Sequence, residues 1–204
     1  MGFFGPPITP VLHHSNCQPP AAVCDWRFSL LIQTAPMKDA LAKRLVQSLK
    51  DAGINFVTYL PETRLSQIVP LIRDDPDMEL IAVANESEAI TIAAGATLGG
   101  KQAAVYMENT GIYTSCYPLV TVGKQLGVPL LLVIAYLGGV PDWRNSFLYA
   151  TIGKHSIPVL DGLGVDHTLI EDGAKLEIKI TDAVRAANAL RAPYALLFAG
   201  EFSE

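Results

Sequence analysis

The sequence has few cysteines and no long hydrophobic run, and each absence excludes a class of protein. Three cysteines, Cys17, Cys24 and Cys116, are too few and too scattered for a disulfide framework. We therefore expect a reducing, cytoplasmic environment. No apolar run reaches the roughly 18 residues that a membrane-spanning helix needs. The net charge of -5 argues against non-specific binding to nucleic acids.

Several catalytic and nucleotide-binding motifs are also absent from the 204 residues. The sequence has no G-x-G-x-x-G and no G-x-x-x-x-G-K-[ST], which disfavours a dinucleotide-binding fold and a P-loop enzyme. It has no G-x-S-x-G elbow, the mark of the α/β-hydrolases. Hydrophobic residues make up 50% of the chain, which is enough for a sizeable core. The sequence therefore predicts a well-folded domain without a self-sufficient active site.

The first 36 residues differ in composition from the rest of the chain. They contain six prolines and two charged residues, Asp25 and Arg27, whereas the other 168 residues contain 33 charged residues. So many prolines prevent regular secondary structure. We interpret residues 1–36 as an irregular, proline-rich extension, with Met37 as a possible native start, and residues 37–204 as the folded domain.

From Met37 onward, helical and strand patterns alternate. Strands are predicted at 54–60, 79–84, 103–107, 129–136, 167–170 and 194–199. Helices are predicted at 38–52, 65–73, 86–98, 155–163 and 181–190, with a loop and a helix between the third and fourth strands. The strands are continuous apolar runs, which is typical of a parallel sheet covered on both faces. The predicted fold class is α/β, a doubly wound, mainly six-stranded parallel sheet with helices on both faces.

The stretch from Asn85 to Gly100 contains the main candidate for a functional residue. Asn85 directly follows a strand and can cap the next helix, and Glu88 completes a pair that resembles a capping box. Glu86 has no such structural role and lies at the carboxyl end of a strand, where ligands of parallel sheets bind. A carboxylate stabilised only by the helix dipole is the alternative interpretation. The small residues that follow suit close packing against another subunit, although they also suit packing on the sheet.

This stretch resembles the pyrimidine-binding (PYR) domain of thiamine-diphosphate enzymes, in which a glutamate precedes a small-residue turn by nine residues, as Glu86 precedes Gly95. It is more closely similar to the family of sulfopyruvate decarboxylase alpha subunits and phosphonopyruvate decarboxylases. The matching segments, besides N-E-S-E-A-I-T-I-A-A-G-A-T-L-G-G-K itself, are Y-L-P-E-T at 59–63, M-E-N-T-G at 107–111, G-V-P-L-L-L-V-I at 127–134 and I-P-V-L-D-G-L-G-V at 157–165. The similarity covers about residues 37–200 in matching order.

The resemblance implies thiamine diphosphate as the cofactor. It implies that Glu86 is catalytic, with its carboxylate hydrogen-bonded to N1' of the pyrimidine ring to promote the imino tautomer that deprotonates the thiazolium carbon. Burial should adjust the proton affinity of such a carboxylate. Asn109, Thr110 and Gly111 match a loop that flanks the pyrimidine, and they are the other candidates for cofactor binding.

Candidates for substrate binding are Thr63, Arg64 and Arg144. A sulfonate or phosphonate requires cationic donors, which the arginines offer. Solvated surface positions for the arginines, and a plain turn or helix cap for Thr63, remain alternatives. The sequence departs from the relatives at Glu108, where glutamine is common, and at Ile112 to Thr114, so the substrate stays open.

The relatives bind the diphosphate and Mg²⁺ through a domain marked by G-D-G, which this sequence lacks. The resemblance therefore implies that no metal ligand lies in this chain and that a separate beta-type subunit holds Mg²⁺ in a hetero-oligomer with alpha–alpha contacts. The implied reaction converts sulfopyruvate to sulfoacetaldehyde and CO₂. Alternatives are a decarboxylase or carboligase for another 2-oxo acid, a non-catalytic scaffold or binding subunit of the same fold, and a flavodoxin-like nucleotide binder.

Overall fold

The computed structural model describes residues 37–140, 142, 147–200 and 202. The predicted extension at 1–36 and Arg144 lie outside these residues. Six strands form one sheet: β1 (Phe56–Tyr59), β2 (Glu79–Ala82), β3 (Ala103–Glu108), β4 (Leu131–Ala135), β5 (Asp166–Ile170) and β6 (Tyr194–Phe198). Each of them falls within, or within a residue of, a strand predicted from the sequence.

Seven α-helices and one π-helix lie in the described part of the chain. They are α1 (Asp39–Asp51), α2 (Ile68–Arg73), α3 (Glu86–Leu98), α4 (Thr110–Thr114), α5 (Cys116–Pro118), the π-helix Leu119–Gln125, α6 (Phe147–Leu163) and α7 (Leu176–Leu190). Two helices start earlier than predicted, α6 by eight residues and α7 by five. None of the helices in these ranges is both long and apolar enough to cross a bilayer.

The sheet has the order β2-β1-β3-β4-β6-β5, and every pair of neighbours is parallel. The chain runs from β1 outward to β2 and then crosses to β3 on the other side of β1. This reversal makes the carboxyl ends of β1 and β3 a topological switch point, the usual place for a ligand in an open parallel sheet. The predicted doubly wound, six-stranded parallel sheet is confirmed.

Helices cover both faces of the sheet, and alternate residues of each strand face opposite cores. Val57 belongs to the core formed with α1, α2 and α7, whereas its neighbour Phe56 belongs to the core formed with α3 and α6. Ala89, Ala93 and Ala94 of α3 are fully buried in the second core. These three small residues therefore allow α3 to pack closely on the sheet of its own chain.

Candidate active site

The N-terminus of α3 places Glu86 at the carboxyl end of the sheet. The Asn85 side chain accepts a hydrogen bond from the Glu88 amide at 2.9 Å, and the Glu88 carboxylate accepts one from the Ala84 amide at 2.7 Å. This is the capping pair that the sequence predicted, and it stabilises the first turn of the helix. Glu86 takes no part in the cap. It is nevertheless 9% exposed, so its carboxyl group is nearly buried beside the crevice.

The short helix α4 packs directly against Glu86. The Thr114 hydroxyl donates to Oε2 of Glu86 at 3.1 Å, and the Ser87 hydroxyl donates to the Thr114 carbonyl. A Cβ on Gly111 would lie 2.5 Å from Cγ of Glu86, so no larger residue fits at that position without displacing Glu86. Among the described residues, no donor contacts Oε1 of Glu86. That oxygen is therefore available to a ligand.

The sequence predicted Gly111 as a site residue but missed Thr114. The only local signal was spacing, because residues three apart lie on the same side of a helical turn. The structure brings both residues to Glu86. Glu86, Gly111 and Thr114 together form the arrangement that we call the Glu86 site.

A second carboxyl group, Glu62, lies at the end of β1 and was not predicted. Glu62 accepts hydrogen bonds from the Tyr106 hydroxyl and from the backbone amides of Arg64 at 2.5 Å and Leu65 at 2.6 Å. Burial raises the pKa of Glu62 even though these donors and the Arg64 charge oppose the shift. Glu62 therefore holds the turn after β1 in place by satisfying its backbone donors.

A third carboxyl group, Glu108, ends β3 and is half-buried. Burial is the largest cause that raises the pKa of Glu108, and the neighbouring Glu62 and Glu86 carboxylates raise it further. A hydrogen bond with the Thr110 side chain and the charge of Arg64 act in the opposite direction. The Glu62 and Glu108 carboxyl groups at this edge of the sheet thus hold their protons to higher pH than in water, because both are partly withdrawn from solvent.

Asn109 was predicted to bind the cofactor, but its side-chain amide is occupied within the chain. Its Nδ2 donates to the Leu137 carbonyl and to Ser156 Oγ, both at 3.0 Å, and its Oδ1 accepts from the Leu137 amide at 3.0 Å. The residue is completely buried. Asn109 therefore joins the end of β3 to the chain after β4 and to α6.

The predicted substrate-binding residues have different environments. Thr63 is exposed on the turn after β1. Arg64, the next residue, is 2% exposed and forms an ion pair with Asp142, so it is not a solvated surface arginine. Burial lowers the pKa of Arg64, while the Asp142 carboxylate opposes that shift.

Thr110 lines an open, mainly apolar cavity between α4 and α6. The cavity has a volume of about 380 Å³ and is formed with Tyr113, Thr151, Ile152 and His155. The Tyr113 hydroxyl donates to the Ile152 carbonyl at 2.6 Å, which links the two helices. Thr110 thus faces a cavity, while Gly111 on the same helix contacts Glu86.

The N-terminal TPP-binding domain of the thiamine pyrophosphate enzymes matches residues 39–144. That range contains the whole Glu86 site. The chain belongs to this family.

Several named proteins are similar to this chain in sequence. The alpha subunit of sulfopyruvate decarboxylase from Methanococcus maripaludis is 30% identical over 151 residues, which cover 68% of this chain and 88% of that subunit. The alpha subunit of the enzyme from Methanocaldococcus jannaschii is 34% identical over 106 residues, covering 52% of this chain and 62% of that one. Phosphonopyruvate decarboxylase from Streptomyces viridochromogenes is 27% identical over 131 residues, covering 64% of this chain and 33% of that protein.

A solved structure shows the same fold. The 2-oxoglutarate:ferredoxin oxidoreductase from Magnetococcus marinus, with 2-oxoglutarate, coenzyme A and succinyl-CoA bound, superposes with a TM-score of 0.60 at 18% identity. The superposition covers 82% of this chain and 29% of the oxidoreductase chain. The present chain is therefore comparable to one part of that larger protein.

The Glu86 site fits the pyrimidine end of thiamine diphosphate. A nearly buried carboxylate has one oxygen held by Thr114 and the other without a donor among the described residues. Glycine at position 111 allows the carboxylate to lie close to α4. Within the described ranges, no group of three His, Cys, Asp or Glu side chains could hold a metal ion. The Glu86 carboxylate thus provides a hydrogen-bonding partner for a ring nitrogen.

Proposed function

We propose that this chain is the pyrimidine-binding subunit of a thiamine-diphosphate-dependent 2-oxo acid decarboxylase, most like sulfopyruvate decarboxylase. The observation that carries the proposal is the nearly buried Glu86 carboxylate, held by Thr114 and packed on Gly111 at the end of a parallel sheet. Relatives named as alpha subunits of sulfopyruvate decarboxylase support the substrate class.

Thiamine diphosphate, if held here through Glu86, would supply a nucleophilic carbon for a 2-oxo group and a positively charged thiazolium ring as the electron sink for loss of CO₂. The chain's contribution is to hold and exchange a proton at the pyrimidine nitrogen through Glu86. Thr114 orients the carboxylate for this role by donating to Oε2. The close contact with Gly111 excludes water from one side of Glu86, which strengthens the interaction with a ring nitrogen. Gly111 forms the adjacent wall, Thr110 lines the neighbouring cavity, and Asn109 fixes the end of β3 from which both follow.

We further propose that a beta-type subunit holds the diphosphate and Mg²⁺. The chain has no G-D-G sequence to mark a diphosphate-binding domain. The relatives that match over most of their length are named as subunit alpha, which supports a second subunit. Contacts between alpha subunits and a cytoplasmic location belong to the same proposal, the latter because three scattered cysteines are too few for a disulfide framework.

Decarboxylation of a different 2-oxo acid is a second candidate activity. The observation in its favour is the environment of Arg64, whose guanidinium group is buried and paired with Asp142. A sulfonate requires cationic donors, and this arginine is already neutralised. The mainly apolar cavity beside Thr110 also suits an uncharged substrate side chain better than a sulfonate.

The test is to co-express the chain with a candidate subunit that contains the G-D-G domain and to measure CO₂ release. Sulfopyruvate, phosphonopyruvate, pyruvate and a branched 2-oxo acid are supplied separately, with and without thiamine diphosphate and Mg²⁺. We expect cofactor-dependent CO₂ release, fastest with sulfopyruvate. A higher rate with pyruvate or the branched 2-oxo acid, whose side chains are uncharged, would support the second candidate.

Glu86→Gln tests the role of the carboxylate in this assay. We expect kcat to fall by roughly 100- to 10,000-fold, the usual contribution of a proton-transferring group. Glu88→Gln is the matched control, because Glu88 lies on the same helical turn and its side chain acts only as a cap. Full activity of Glu86→Gln, or no cofactor-dependent CO₂ release by the wild-type pair, would refute the proposed function.

A further inference from the structure

Arg64 and Asp142 form a buried ion pair above the carboxyl ends of the strands. Nη2 of Arg64 donates to Oδ2 of Asp142, and both side chains are excluded from solvent, at 1% and 0% exposure. Nη1 of Arg64 also donates to the Gly200 carbonyl at 2.7 Å. A buried pair of this kind is costly to desolvate and is not by itself a reason for stability. A contribution to stability therefore does not explain why this ion pair is present.

The pair connects parts of the sheet that are not neighbours. Arg64 lies in the turn after β1, Asp142 lies after β4, and Gly200 follows β6. Since the strand order is β2-β1-β3-β4-β6-β5, β3 and β4 separate β1 from β6. One guanidinium group thus joins the carboxyl ends of three strands.

Both sides of this connection are fixed by further hydrogen bonds. On the β1 side, Glu62 accepts from the Tyr106 hydroxyl of β3 and from the amides of Arg64 and Leu65. These contacts hold the turn on either side of Thr63, whose side chain is exposed. The Thr63 hydroxyl therefore lies on a turn whose backbone is fixed by hydrogen bonds on both sides.

On the β4 side, two sets of hydrogen bonds fix the segment that follows the strand. Asn109, at the end of β3, pairs with both backbone groups of Leu137. The Asp142 amide donates to the Gly139 carbonyl at 2.8 Å, which closes a turn. The Asp142 carboxylate is consequently presented to Arg64 by a segment that is already anchored.

We propose that Arg64 and Asp142 are positioning residues that hold the Thr63 turn at a set distance from the chain after β4. Two hydrogen-bonded charges define a direction and a distance, which apolar side chains of similar volume do not. The catalytic consequence of this inference rests on the proposed function. Its structural consequence can be measured on the chain alone.

The experiment compares Arg64→Met, Asp142→Leu and the double variant with the wild type. Thermal unfolding and hydrogen exchange of peptides covering 59–66 and 136–142 are measured on the full chain, and kcat and KM on the chain with its partner. Each single variant removes one member of a buried ion pair and keeps the charge of the other, so we expect a lower Tm. The double variant removes both charges, so we expect its Tm to return close to that of the wild type.

Exchange and turnover should not recover with Tm in the double variant. We expect both peptides to exchange about tenfold faster than in the wild type, while a peptide from α3 is unchanged. We expect kcat to remain roughly 10- to 100-fold below the wild-type value with little change in KM, because the residues of the site would bind substrate but would not be correctly positioned. If exchange and kcat both recover with Tm, or if exchange never rises in any variant, the positioning role is wrong.

Arg64→Lys is the second variant, because it keeps the charge that balances Asp142 and should fold. A lysine lacks the two separate donor nitrogens with which Arg64 bonds Asp142 and Gly200, so we expect a lower kcat, unchanged KM and faster exchange in both peptides. A raised KM with unchanged kcat and exchange would instead show that Arg64 contacts substrate. If the wild-type pair shows no thiamine-dependent activity, the proposed function fails, while the exchange data still decide the positioning role.

Discussion

Glu86 lies against Gly111, so closely that a Cβ on the glycine would be 2.5 Å from Cγ of the glutamate. The two residues belong to different helices, α3 and α4, which follow β2 and β3, two strands that β1 separates in the sheet. This contact sets how far the carboxyl group can move. The position of Glu86 thus depends both on the absence of a side chain at Gly111 and on the hydrogen bond from Thr114.

Gly111→Ala should reduce activity by displacing Glu86. The added methyl group would clash with Glu86 and Met107, which we expect to cost about 1–3 kcal/mol of stability. We expect kcat to fall by about 100-fold, because small displacements of a catalytic group have large effects. Steady-state decarboxylation assays and urea unfolding measure the two effects.

Gly95→Ala is the control for that variant. Gly95 lies in α3, and no atom lies within 4 Å of a Cβ built there. Alanine has the higher helix propensity, so the free energy of unfolding should rise by about 0.5–1 kcal/mol with activity unchanged. Equal activities of the two alanine variants would contradict the importance of the Gly111 contact.

Thr114→Val should lower turnover by removing the donor to Oε2 of Glu86. Valine has nearly the same shape, so the packing of α4 should be kept while the hydroxyl is lost. We expect kcat to fall about tenfold, which corresponds to one hydrogen bond of about 1.4 kcal/mol to a charged group. Thr114→Ser should retain most of the activity.

The matched control is Thr121→Val, because the Thr121 hydroxyl donates to the Tyr117 carbonyl one turn earlier and to no other group in the part of the chain that the structure describes. This variant should behave like the wild type in the same kinetic assay. A similar loss in both valine variants would mean that the effect of Thr114→Val is not specific to Glu86.

Glu108 should make the stability of the chain fall as pH rises. Burial and the nearby Glu62 and Glu86 raise the pKa of Glu108 above its ordinary value of 4.5. The folded chain therefore binds more protons than the unfolded chain between that value and the higher pKa of the folded state. Since the unfolded state binds fewer protons there, the contribution of Glu108 to stability decreases through this window.

Glu108→Gln should remove this pH dependence. Urea unfolding at several pH values from 4 upward would measure it, with the exposed Glu88→Gln as control. We expect the difference in unfolding free energy between wild type and Glu108→Gln to change in favour of the variant as pH rises. A constant difference across the range would show that Glu108 titrates normally.

Asn109→Leu should destabilise the fold. The substitution leaves both backbone groups of Leu137 and the Ser156 hydroxyl without the partners that Asn109 provides. Leaving buried polar groups unsatisfied costs about 1–3 kcal/mol each, so we expect a loss of at least about 2 kcal/mol in urea unfolding. The exposed Asn188→Leu is the control. Normal stability with lost cofactor binding would show instead that Asn109 acts mainly as a cofactor ligand.

Some features of the site were predictable because they depend on neighbouring residues. The capping pair of Asn85 and Glu88 follows from a three-residue spacing, and it left Glu86 as the residue without a structural role. The first turns of α6 and α7 were not predictable in this way. Phe147 to Lys154 contain aromatic, β-branched and glycine residues with low helix propensity, and packing in the tertiary structure overrides that preference.

The alternation of six strands with helices along the chain, the parallel sheet covered on both faces and the position of Glu86 at the start of α3 were determined by the sequence alone, because periodicity and capping are local properties. The tertiary structure decided which polar groups are used within the fold. Arg64 pairs with a residue 78 positions away, and Asn109 with one 28 positions away. Such partners are brought together only when the strands assemble, since no local pattern encodes the distance between their ends.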